Sequence, residues 1–430
     1  MFKGRLISPY QHTGVKWLVE RELSGIGGFL CDEMGLGKTV QLIAMMVAQP
    51  MKTLIIVPKS IVTQWHEEIN RFSDLRVTVA PYSILTRDSA LLEHRWDRLI
   101  MDEAHNIRNK STKSYKAARN IQARIRWVVT GTPIFNSDKD FKALAAFVGV
   151  QATMHNVLRR TKLDVARFNK RLDLPPADFQ DVELEMYPEE RKLYHEVFDD
   201  ARQVAKEQYM SKSMHMMDLL EAFLRTRQVL IWPQMYLSGM AKKYKTDERH
   251  WDGRSKKLET LMAFISEHPS EKSIVFCQFH GEMNQIQKML KERGIKTFRI
   301  DGQVTDRDTV IRDFKKSNSA VFLIQIKAGG VGLNLQEATR VYIISPSWNP
   351  ATELQAIGRA HRTGQTNKVY VKRLIYTGSE EYPSVEESIL ELQDRKTRIC
   401  AEVLNDQRII SWMPQKRQDI SYTELKKLFV

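Results

Sequence analysis

The sequence predicts an α/β protein with two lobes, each a mostly parallel sheet flanked by helices. Short apolar runs alternate with helical segments in residues 1–150 and again from residue 255 onward. Strands that alternate with helices in this way imply parallel βαβ units. A chain of 430 residues is also too long for one average core, which suggests two domains of about 150 to 200 residues.

The composition is that of an ordinary soluble globular protein, with 42% hydrophobic and 27% charged residues. No apolar stretch reaches about 18 residues, the length of a membrane span, and the N-terminus lacks the apolar region of a secretory signal. The cysteines, Cys31, Cys277 and Cys400, are too far apart for a zinc finger or RING module, and they indicate a reducing compartment. The net charge of +14 favours a polyanion partner such as nucleic acid, with a merely soluble basic protein as the alternative.

Residues 27–48 predict a phosphate-binding loop. A short apolar run enters a turn that holds Gly35 and Gly37, and an apolar helical segment leaves the turn from Thr39. This is the strand, loop and helix order that a phosphate cradle requires. An ordinary glycine turn before a helix is the alternative reading.

Each residue type in this loop has a chemical purpose. Glycines let the backbone approach the phosphates, Lys38 places a positive charge on the β- and γ-phosphates, and the Thr39 hydroxyl can hold magnesium. One position departs from the strict pattern, because Asp32 stands where a glycine is expected.

The segments on either side of the loop could also reach a ligand. Residues 6–23 approach the pattern of an amphipathic helix, and Gln11 on it could read an adenine edge because its amide both donates and accepts hydrogen bonds. The apolar run 53–58 predicts a buried parallel strand. Lys59 and Ser60 follow that strand and could contact a phosphate backbone or simply cap the next helix.

A second apolar strand delivers Asp102 and Glu103 at its carboxyl end, where ligands bind in open α/β sheets. Two adjacent carboxylates can divide phosphoryl transfer, with Asp102 holding the magnesium shell and Glu103 orienting and deprotonating the attacking water. Acidic residues often follow strands, so this assignment depends on the phosphate loop in the same sheet. The strand over 127–130 ends in small and hydroxylated residues. These residues suit a relay between the nucleotide and another surface of the protein, and a plain turn is the alternative.

The chain after residue 255 predicts a second sheet that has no phosphate loop of its own. The expected strands are 273–279, 297–300, 320–324, 341–344 and 369–374. Between the two sheets, residues 189–232 are predicted mostly helical and 236–254 a hinge or mobile loop. The glycine-rich turn 328–335 could approach a nucleic-acid backbone or a ribose.

Residues 349–364 predict a helix with a capping residue at its start and a glycine at its end. Gln355, Arg359 and Arg362 are spaced i, i+4 and i+7, which would place them on one helical face. Two guanidiniums on one face look like arginine fingers, which contribute roughly 10³ to 10⁵ in rate to phosphoryl transfer. Salt bridges to Glu353 or to aspartates are the alternative.

Eight motifs in order resemble the superfamily-two helicase-like ATPases of the SWI/SNF chromatin-remodeller type. They are DEMGLGKT, LIIVPKSIVTQW, MDEAH, VVTGTPIFN, SIVFCQF, KAGGVGLNLQEA, SWNP and QAIGRAHRTGQ. The resemblance runs from about Leu6 to about Val403. Three longer stretches look nearest to the branch of replication-repair translocases and transcription-termination ATPases: RWVVTGTPIFNS, LRTRQVLIWP and RAHRTGQTNKVYVKRLI.

This resemblance implies two RecA-like lobes, ATP and Mg²⁺ as cofactors, and ATP-driven movement along one strand of duplex DNA without strand separation. The catalytic residues it implies are Lys38, Asp102, Glu103, Gln355, Arg359 and Arg362, with Thr39 and Asp102 on the metal. The implied nucleotide-binding residues are Gln11, Asp32, Glu33, Met34, Gly35, Leu36, Gly37, Lys38, Thr39, Val40 and Gly332. The implied DNA-binding residues are Pro58, Lys59, Ser60, Trp65, Thr132, Gln278, Lys327, Gly329, Gly330, Asn334 and Trp348.

Two positions depart from the family pattern. Ser8 stands where a basic residue is usual, which could weaken adenine recognition, and Ser345 stands where an acidic residue is usual, which could alter coupling between lobes. All core ATPase residues are present, so the sequence predicts an active DNA-dependent ATPase.

The expected organisation has four parts: an ATP-binding lobe over 1–150, a helical insertion and linker over 151–254, a second lobe over 255–384, and a brace helix with a basic tail over 385–430. The predicted function is duplex-DNA translocation that displaces or remodels protein–DNA complexes. A strand-separating DNA or RNA helicase and a non-catalytic nucleic-acid-binding scaffold are the alternatives.

The expected partners are duplex DNA, DNA-bound proteins such as histones, polymerase or repair factors, and accessory subunits. No association with a membrane is expected. The expected location is intracellular, in a nucleus or at a site of viral or mobile-element DNA metabolism.

Overall fold

The computed structural model describes residues 2–4, 6, 8–87, 90–131, 138–166, 175, 177–210, 216–304, 306–326, 333–362 and 365–403. They form two compact units. The N-terminal unit is built mainly from the chain up to Leu174, and the C-terminal unit mainly from Pro175 to Ala360 and from Asn367 to Arg395. Two short stretches, which begin at His361 and at Lys396, group with the N-terminal unit.

The N-terminal unit contains a six-stranded sheet in the order β3-β2-β4-β5-β1-β6, and every neighbouring pair is parallel. Its strands are β1 Gly28–Leu30, β2 Thr53–Val57, β3 Thr78–Pro81, β4 Trp96–Asp102, β5 Ala123–Val129 and β6 Val157–Leu158. Its helices are α1 Pro9–Leu23, α2 Lys38–Ala48, α3 Val62–Phe72, α4 Ala90–Glu93, α5 Lys113–Asn120, α6 Asp138–Val148 and α7 Lys162–Ala166. Every residue of β1 and β2 is buried, as expected for a parallel sheet covered on both faces.

The C-terminal unit contains a second parallel six-stranded sheet in the order β7-β12-β11-β8-β10-β9. Its strands are β7 Asp178–Leu184, β8 Ser273–Cys277, β9 Thr297–Ile300, β10 Val321–Gln325, β11 Arg340–Ile343 and β12 Tyr370–Tyr376. Its helices are α8 Pro188–Met210, α9 Met216–Ile231, α10 Pro233–Tyr244, α11 Lys256–Glu267, α12 His280–Glu292, α13 Arg307–Lys316, α14 Pro350–Ile357 and α15 Val385–Val403. The two sheets confirm the predicted α/β class.

Five of the six strands in this second sheet were predicted, and β7 was missed. Its residues are exposed or half-buried except for the buried Leu184. It lies at the edge of the sheet, where it pairs with β12 almost 200 residues later. A polar edge strand lacks the continuous apolar run that reveals a buried one. β7 falls within the stretch predicted as the helical insertion, and the four-part division of the chain stays a prediction.

Helices α8 and α9 confirm the mostly helical character of residues 189–232. The expectation of a hinge or mobile loop over 236–254 is wrong for its first part, because α10 continues to Tyr244. Tyr194, Phe198 and Leu230 are fully buried in the same apolar cluster as Val275 and Leu323 of the sheet. The helices therefore belong to the core of the C-terminal unit. α15 confirms the helix predicted from Val385, whereas the predicted basic tail lies outside the described residues. None of the described helices is both long and apolar enough to cross a membrane.

A buried ion pair fixes α1 to the first sheet. Arg98 of β4 is fully buried, and its Nε donates to Glu22 Oε1 of α1 at 2.6 Å. The indole of Trp127 donates to the same oxygen at 2.9 Å, and the Arg98 guanidinium also donates to Thr53 Oγ1. Removing one partner of such a pair typically costs about 3 to 5 kcal/mol. The position of α1, which carries Gln11, is therefore set by the sheet.

In the C-terminal unit, Glu282 caps the start of α12. Its Oε2 accepts the backbone N–H groups of Gln278 at 2.8 Å and Phe279 at 3.1 Å, while Oε1 is buried without a hydrogen-bond partner. Burial raises the pKa of this carboxyl from 4.5 to about 7. The folded chain therefore holds a proton on Glu282 in a pH range where the unfolded chain has released it.

We expect this raised pKa to appear as a pH dependence of stability. Because the folded state binds the proton more tightly, the stability from Glu282 is present below pH 4.5 and is lost as pH rises through about 7. At 1.36 kcal/mol per pKa unit, the loss is on the order of 3 kcal/mol. Urea unfolding from pH 4.5 to 8 should show wild type losing stability relative to Glu282→Gln, whereas Glu292→Gln, an exposed change at the end of the same helix, should parallel wild type. Parallel curves for all three proteins would contradict the assignment.

Candidate active site

The phosphate loop lies between the end of β1 and the start of α2, as predicted. Gly35 has φ +89° and Gly37 φ +72°, values in the left-handed region that favours glycine. Gly37 immediately precedes Lys38, the first residue of α2, and a Cβ at Gly37 would lie 2.6 Å from Gln11 Nε2. The loop conformation therefore favours glycine here, and a side chain would also displace the end of Gln11. The N-terminus of α2 provides backbone N–H groups and a dipole that favour an anion.

Lys38 extends across this loop. Its Nζ donates to the backbone carbonyl of Asp32 at 2.9 Å, and it would lie 2.9 Å from a Cβ added to Gly131. Gly131, at the end of β5, thus leaves room for the lysine. Burial raises the pKa of Asp102, and the charge of Lys38 offsets a part of that rise, so the loop and the acidic pair share one electrostatic environment.

Asp32, the departure from the strict loop pattern, has a structural explanation. Its carboxylate is fully buried and accepts from Arg160 Nε at 2.9 Å, from Arg160 Nη2, and from Gln41 Nε2 at 3.1 Å. Arg160 also donates to Gln41 Oε1 at 2.7 Å and to the Tyr10 carbonyl, and its guanidinium lies over the Tyr10 ring at 5.1 Å. The carboxylate therefore holds the loop in place and is not directed at phosphate.

The N-terminal helix contacts the same loop. Tyr10 Oη donates to the Leu36 carbonyl at 3.0 Å, and burial, with the Asp32 charge, raises the pKa of Tyr10 to about 12. Gln11 is 2% exposed, and its Nε2 donates to the same carbonyl at 3.4 Å. The structure thus brings Gln11 against the loop, and a role in reading adenine stays a prediction.

The acidic pair stands at the carboxyl end of β4, in the middle of the sheet. Asp102 Oδ2 accepts the indole N–H of Trp65 at 2.9 Å, and Oδ1 accepts the backbone N–H of Glu103 at 3.0 Å. Burial first, and then the charge of Glu103, raise the pKa of Asp102 to about 6. Glu103 has φ +52° and ψ +47°, an unusual conformation for a residue with a side chain.

The donors present fit a magnesium ion that is held mainly by nucleotide phosphates. No group of three or more His, Cys, Asp or Glu side chains in the described part of the chain could enclose a metal by itself. Mg²⁺ at phosphate sites needs only one or two protein ligands and keeps several waters. Asp102 meets only neutral hydrogen-bond donors, so its negative charge remains available to a cation.

Trp65 lies elsewhere than the sequence suggested. We expected it to contact DNA, but it is 2% exposed and its polar edge faces Asp102. The reason is geometric, because the ring belongs to the face of α3 that packs on the sheet. The structure therefore associates Trp65 with the acidic pair.

The other expected DNA contacts are spread over both units. In the N-terminal unit, the short 3₁₀ turn Lys59–Ile61 follows β2, and Lys59 and Ser60 are exposed while Pro58 is half-buried. Thr132 lies outside the described residues.

In the C-terminal unit, the half-buried Gln278 donates to Ser347 Oγ at 3.1 Å. Trp348 is 37% exposed and packs edge-on against Phe223, and Asn334 Oδ1 is buried without a hydrogen-bond partner. Lys327, Gly329, Gly330 and the predicted nucleotide contact Gly332 lie outside the described residues.

The predicted helix over 349–364 is shorter than expected. α14 ends at Ile357, and the backbone N–H groups of Arg359 and Ala360 donate to carbonyls three residues back. Gly358, a poor helix former, is the first residue after the helix. The expectation that Gln355, Arg359 and Arg362 share one helical face is therefore wrong, because the two arginines lie beyond the helix.

The side chains near this helix end are nevertheless largely buried. Gln355 is 9% and Arg359 6% exposed. Glu353, the alternative salt-bridge partner, accepts from Arg373 Nη1 at 2.7 Å and from Gln393 Nε2 at 2.7 Å. The segment from His361 to Thr366, which includes Arg362, groups with the N-terminal unit.

Two protein-family models match the chain. The SNF2-related domain matches residues 10–82 and 73–156, and the helicase conserved C-terminal domain matches residues 256–364. The chain belongs to the SNF2-type helicase-like ATPases of superfamily two. This confirms the predicted family, its two RecA-like lobes and the predicted enzyme class, a DNA-dependent ATPase. The narrower repair and termination branch stays a prediction.

Relatives of this SNF2-type chain include viral, bacterial and animal proteins. A probable global transactivator of Orgyia pseudotsugata multicapsid polyhedrosis virus is 29% identical over 98% of this chain and 93% of its own length. An uncharacterized ATP-dependent helicase of Mycoplasma pneumoniae is 30% identical over 92% of this chain and 42% of its own length. The SWI/SNF-related matrix-associated actin-dependent regulator of chromatin subfamily A member 1 of Mus musculus is 29% identical over 96% and 45%. The chain thus spans less than half of these last two relatives.

A solved structure, the Sulfolobus solfataricus SWI2/SNF2 ATPase core in complex with dsDNA, is 26% identical and covers 99% of this chain and 97% of that chain, with a TM-score of 0.43.

Sequence reasoning missed three residues that support the site: Gln41, Tyr82 and Arg160. Tyr82 Oη donates to the Asp102 carbonyl at 2.8 Å. Arg160 could not be recognised from its local sequence, because its partner Asp32 lies 128 positions earlier. A carboxylate in place of the loop glycine was the one available signal that a buried cation must lie nearby.

We expect Arg160→Met to weaken nucleotide binding, because the Asp32 carboxylate would lose its cation and the loop would have to move to solvate it. A loss of about tenfold in affinity corresponds to 1.4 kcal/mol. Titration with a fluorescent ATP analogue measures this, with Arg124→Met, an exposed arginine of the same unit, as the matched control. Combining Arg160→Met with Asp32→Asn should cost less than the sum of the single changes. Wild-type affinity in Arg160→Met would show that the bridge does not support the loop.

Proposed function

We propose that this SNF2-type chain hydrolyses ATP with Mg²⁺ and uses the energy to move along duplex DNA, thereby displacing or remodelling protein–DNA complexes. The observation that carries the proposal is the acidic pair at the end of β4, held in the electrostatic field of Lys38 on the phosphate loop. Family membership supports the ATPase chemistry, in which we assign a role to each of the following residues.

In the proposed reaction, the loop amides from Gly35 to Lys38 and the Lys38 ammonium bind the phosphates. Thr39 and Asp102 would hold Mg²⁺, which neutralises charge on the transferring phosphoryl group. Glu103 orients the attacking water and accepts its proton. Gln355, Arg359 and Arg362 are proposed to stabilise the transition-state charge, a role that does not require them to lie on one helical face.

Duplex DNA is the proposed track. The net charge of +14 favours a polyanion through phosphate contacts and counterion release. Lys59, Ser60 and Trp348 are exposed and are available to a nucleic-acid backbone. Two relatives, one named a regulator of chromatin and the other a chromatin-remodeling complex ATPase, support a protein–DNA complex as the target.

The proposed partners are DNA-bound proteins such as histones, polymerase or repair factors, together with accessory subunits. The proposed location is intracellular, in the nucleus of a eukaryotic cell or at the site where viral or mobile-element DNA is processed. The similarity to a viral transactivator over nearly its whole length supports the second of these settings.

A strand-separating helicase is the second candidate. Two relatives from Mycoplasma species are described as ATP-dependent helicases. A scaffold without catalysis is less well supported, because Lys38, Asp102 and Glu103 are all present and the first two share one electrostatic environment.

The test is steady-state ATP hydrolysis without nucleic acid and with duplex DNA, single-stranded DNA or duplex RNA. We expect strong stimulation by duplex DNA that weakens as salt rises, since the contacts are to phosphates. Glu103→Gln should lower the rate by roughly 10² to 10⁴, the usual contribution of a general base, while the exposed Glu93→Gln in the same unit should not. Preference for RNA would favour a helicase, and absence of turnover under every condition would contradict the enzyme assignment.

A further inference from the structure

The peptide that joins Asp102 to Glu103 is held from both sides. Its carbonyl accepts the Tyr82 hydroxyl at 2.8 Å, and its N–H donates to Asp102 Oδ1 at 3.0 Å. The other carboxylate oxygen of Asp102 accepts the Trp65 indole at 2.9 Å. Three hydrogen bonds therefore fix the Asp102 side chain and the plane of the peptide that follows it.

All three donors are neutral, and this distinguishes the half-buried Asp102 from the fully buried Asp32. Asp32 is paired with the Arg160 guanidinium, which neutralises its charge. An indole N–H and a backbone N–H orient a carboxylate without cancelling its charge. An ionised carboxylate has about four lone-pair positions, so the two hydrogen bonds leave others for a cation and its waters.

The Tyr82 hydroxyl acts on the next residue. Glu103 has left-handed backbone angles, which cost a residue with a side chain about 1 to 2 kcal/mol. Such a conformation persists only where its surroundings enforce it, and the Tyr82 bond fixes the peptide plane immediately before Glu103.

We propose that Trp65 and Tyr82 are positioning residues for phosphoryl transfer: Trp65 orients Asp102 toward the magnesium shell, and Tyr82 sets the direction of Glu103. This inference rests on the proposed ATPase function and adds two residues to it. Neither residue needs to touch ATP. Comparable supporting contacts around metal ligands are worth about 10- to 100-fold in metal affinity or activity.

A purely structural role for Trp65 and Tyr82 makes a different prediction. A buried indole or phenol usually requires a hydrogen-bond partner, so each bond could serve only to satisfy its donor. The N-terminal unit contains a tryptophan and a tyrosine that make comparable hydrogen bonds away from the acidic pair. Trp96 Nε1 donates to the Leu91 carbonyl at 3.0 Å, and Tyr115 Oη donates to the Ala143 carbonyl at 3.0 Å. Trp96 opens β4, at the end opposite Asp102.

The experiment compares Trp65→Phe and Tyr82→Phe with the controls Trp96→Phe and Tyr115→Phe. Each change removes one donor and keeps an aromatic ring. Two quantities are measured on the full chain: the Mg²⁺ concentration that half-saturates binding of a fluorescent, non-hydrolysable ATP analogue, and kcat and KM for ATP with duplex DNA. The melting temperature of each variant reports the structural cost, which for one hydrogen bond is about 1 kcal/mol.

We expect Trp65→Phe to raise the half-saturating Mg²⁺ concentration about tenfold and to lower kcat by 10- to 100-fold at limiting Mg²⁺, with partial recovery at high Mg²⁺. Tyr82→Phe should lower kcat with little change in Mg²⁺ dependence or KM, because it acts on Glu103. The controls should change melting temperature to a similar extent and leave both functional quantities unchanged.

Equal effects in Trp65→Phe and Trp96→Phe, or an unchanged Mg²⁺ dependence in Trp65→Phe, would overturn the proposal for Trp65. An unchanged kcat in Tyr82→Phe would overturn it for Tyr82. If wild type bound the analogue but hydrolysed no ATP under any condition, the proposed function would fail, and with it the assignment for Tyr82. The Mg²⁺ dependence of binding would still decide the assignment for Trp65.

Discussion

The ion pair between Asp32 and Arg160 is the contact on which the nucleotide site depends. Asp32 lies just after β1 and Arg160 just after β6, the strand that pairs with β1. The Asp32 carboxylate is fully buried and the Arg160 side chain is 15% exposed, and the pair also engages Gln41 of α2 and the backbone of α1. It therefore joins the loop to both helices that flank it. Gly35 and Gly37 lack a Cβ and adopt the left-handed angles that the loop requires.

Two aspartates of the same unit serve different purposes. The fully buried Asp32 is neutralised by a guanidinium and acts as a structural anchor, whereas the half-buried Asp102 receives only neutral donors and keeps its charge. The difference follows from the charge of the partner, because a cationic donor neutralises the charge that would otherwise attract a metal ion. This contrast distinguishes Asp32, a structural carboxylate, from Asp102, the carboxylate that we propose binds magnesium.

Local patterns predicted the features that depend on neighbours in sequence. The phosphate loop, the position of Asp102 and Glu103 after a strand, and five of the six strands of the second sheet could be recognised in this way. Features that depend on distant partners could not be predicted. Arg160, Tyr82 and the indole of Trp65 became part of the site only through folding, and β7 has the polarity of a surface segment. The end of α14 at Ile357 is different, because its cause is local: Gly358 has a weak helix propensity.

The most direct test of the account is displacement of a third strand from a DNA triplex whose duplex carries a long flanking arm. A protein that moves along duplex DNA should release the third strand only when ATP is hydrolysed, should require the flanking arm, and should leave the duplex strands paired. Glu103→Gln should release none. ATP hydrolysis without release of the third strand, or separation of the duplex strands, would contradict duplex-DNA translocation.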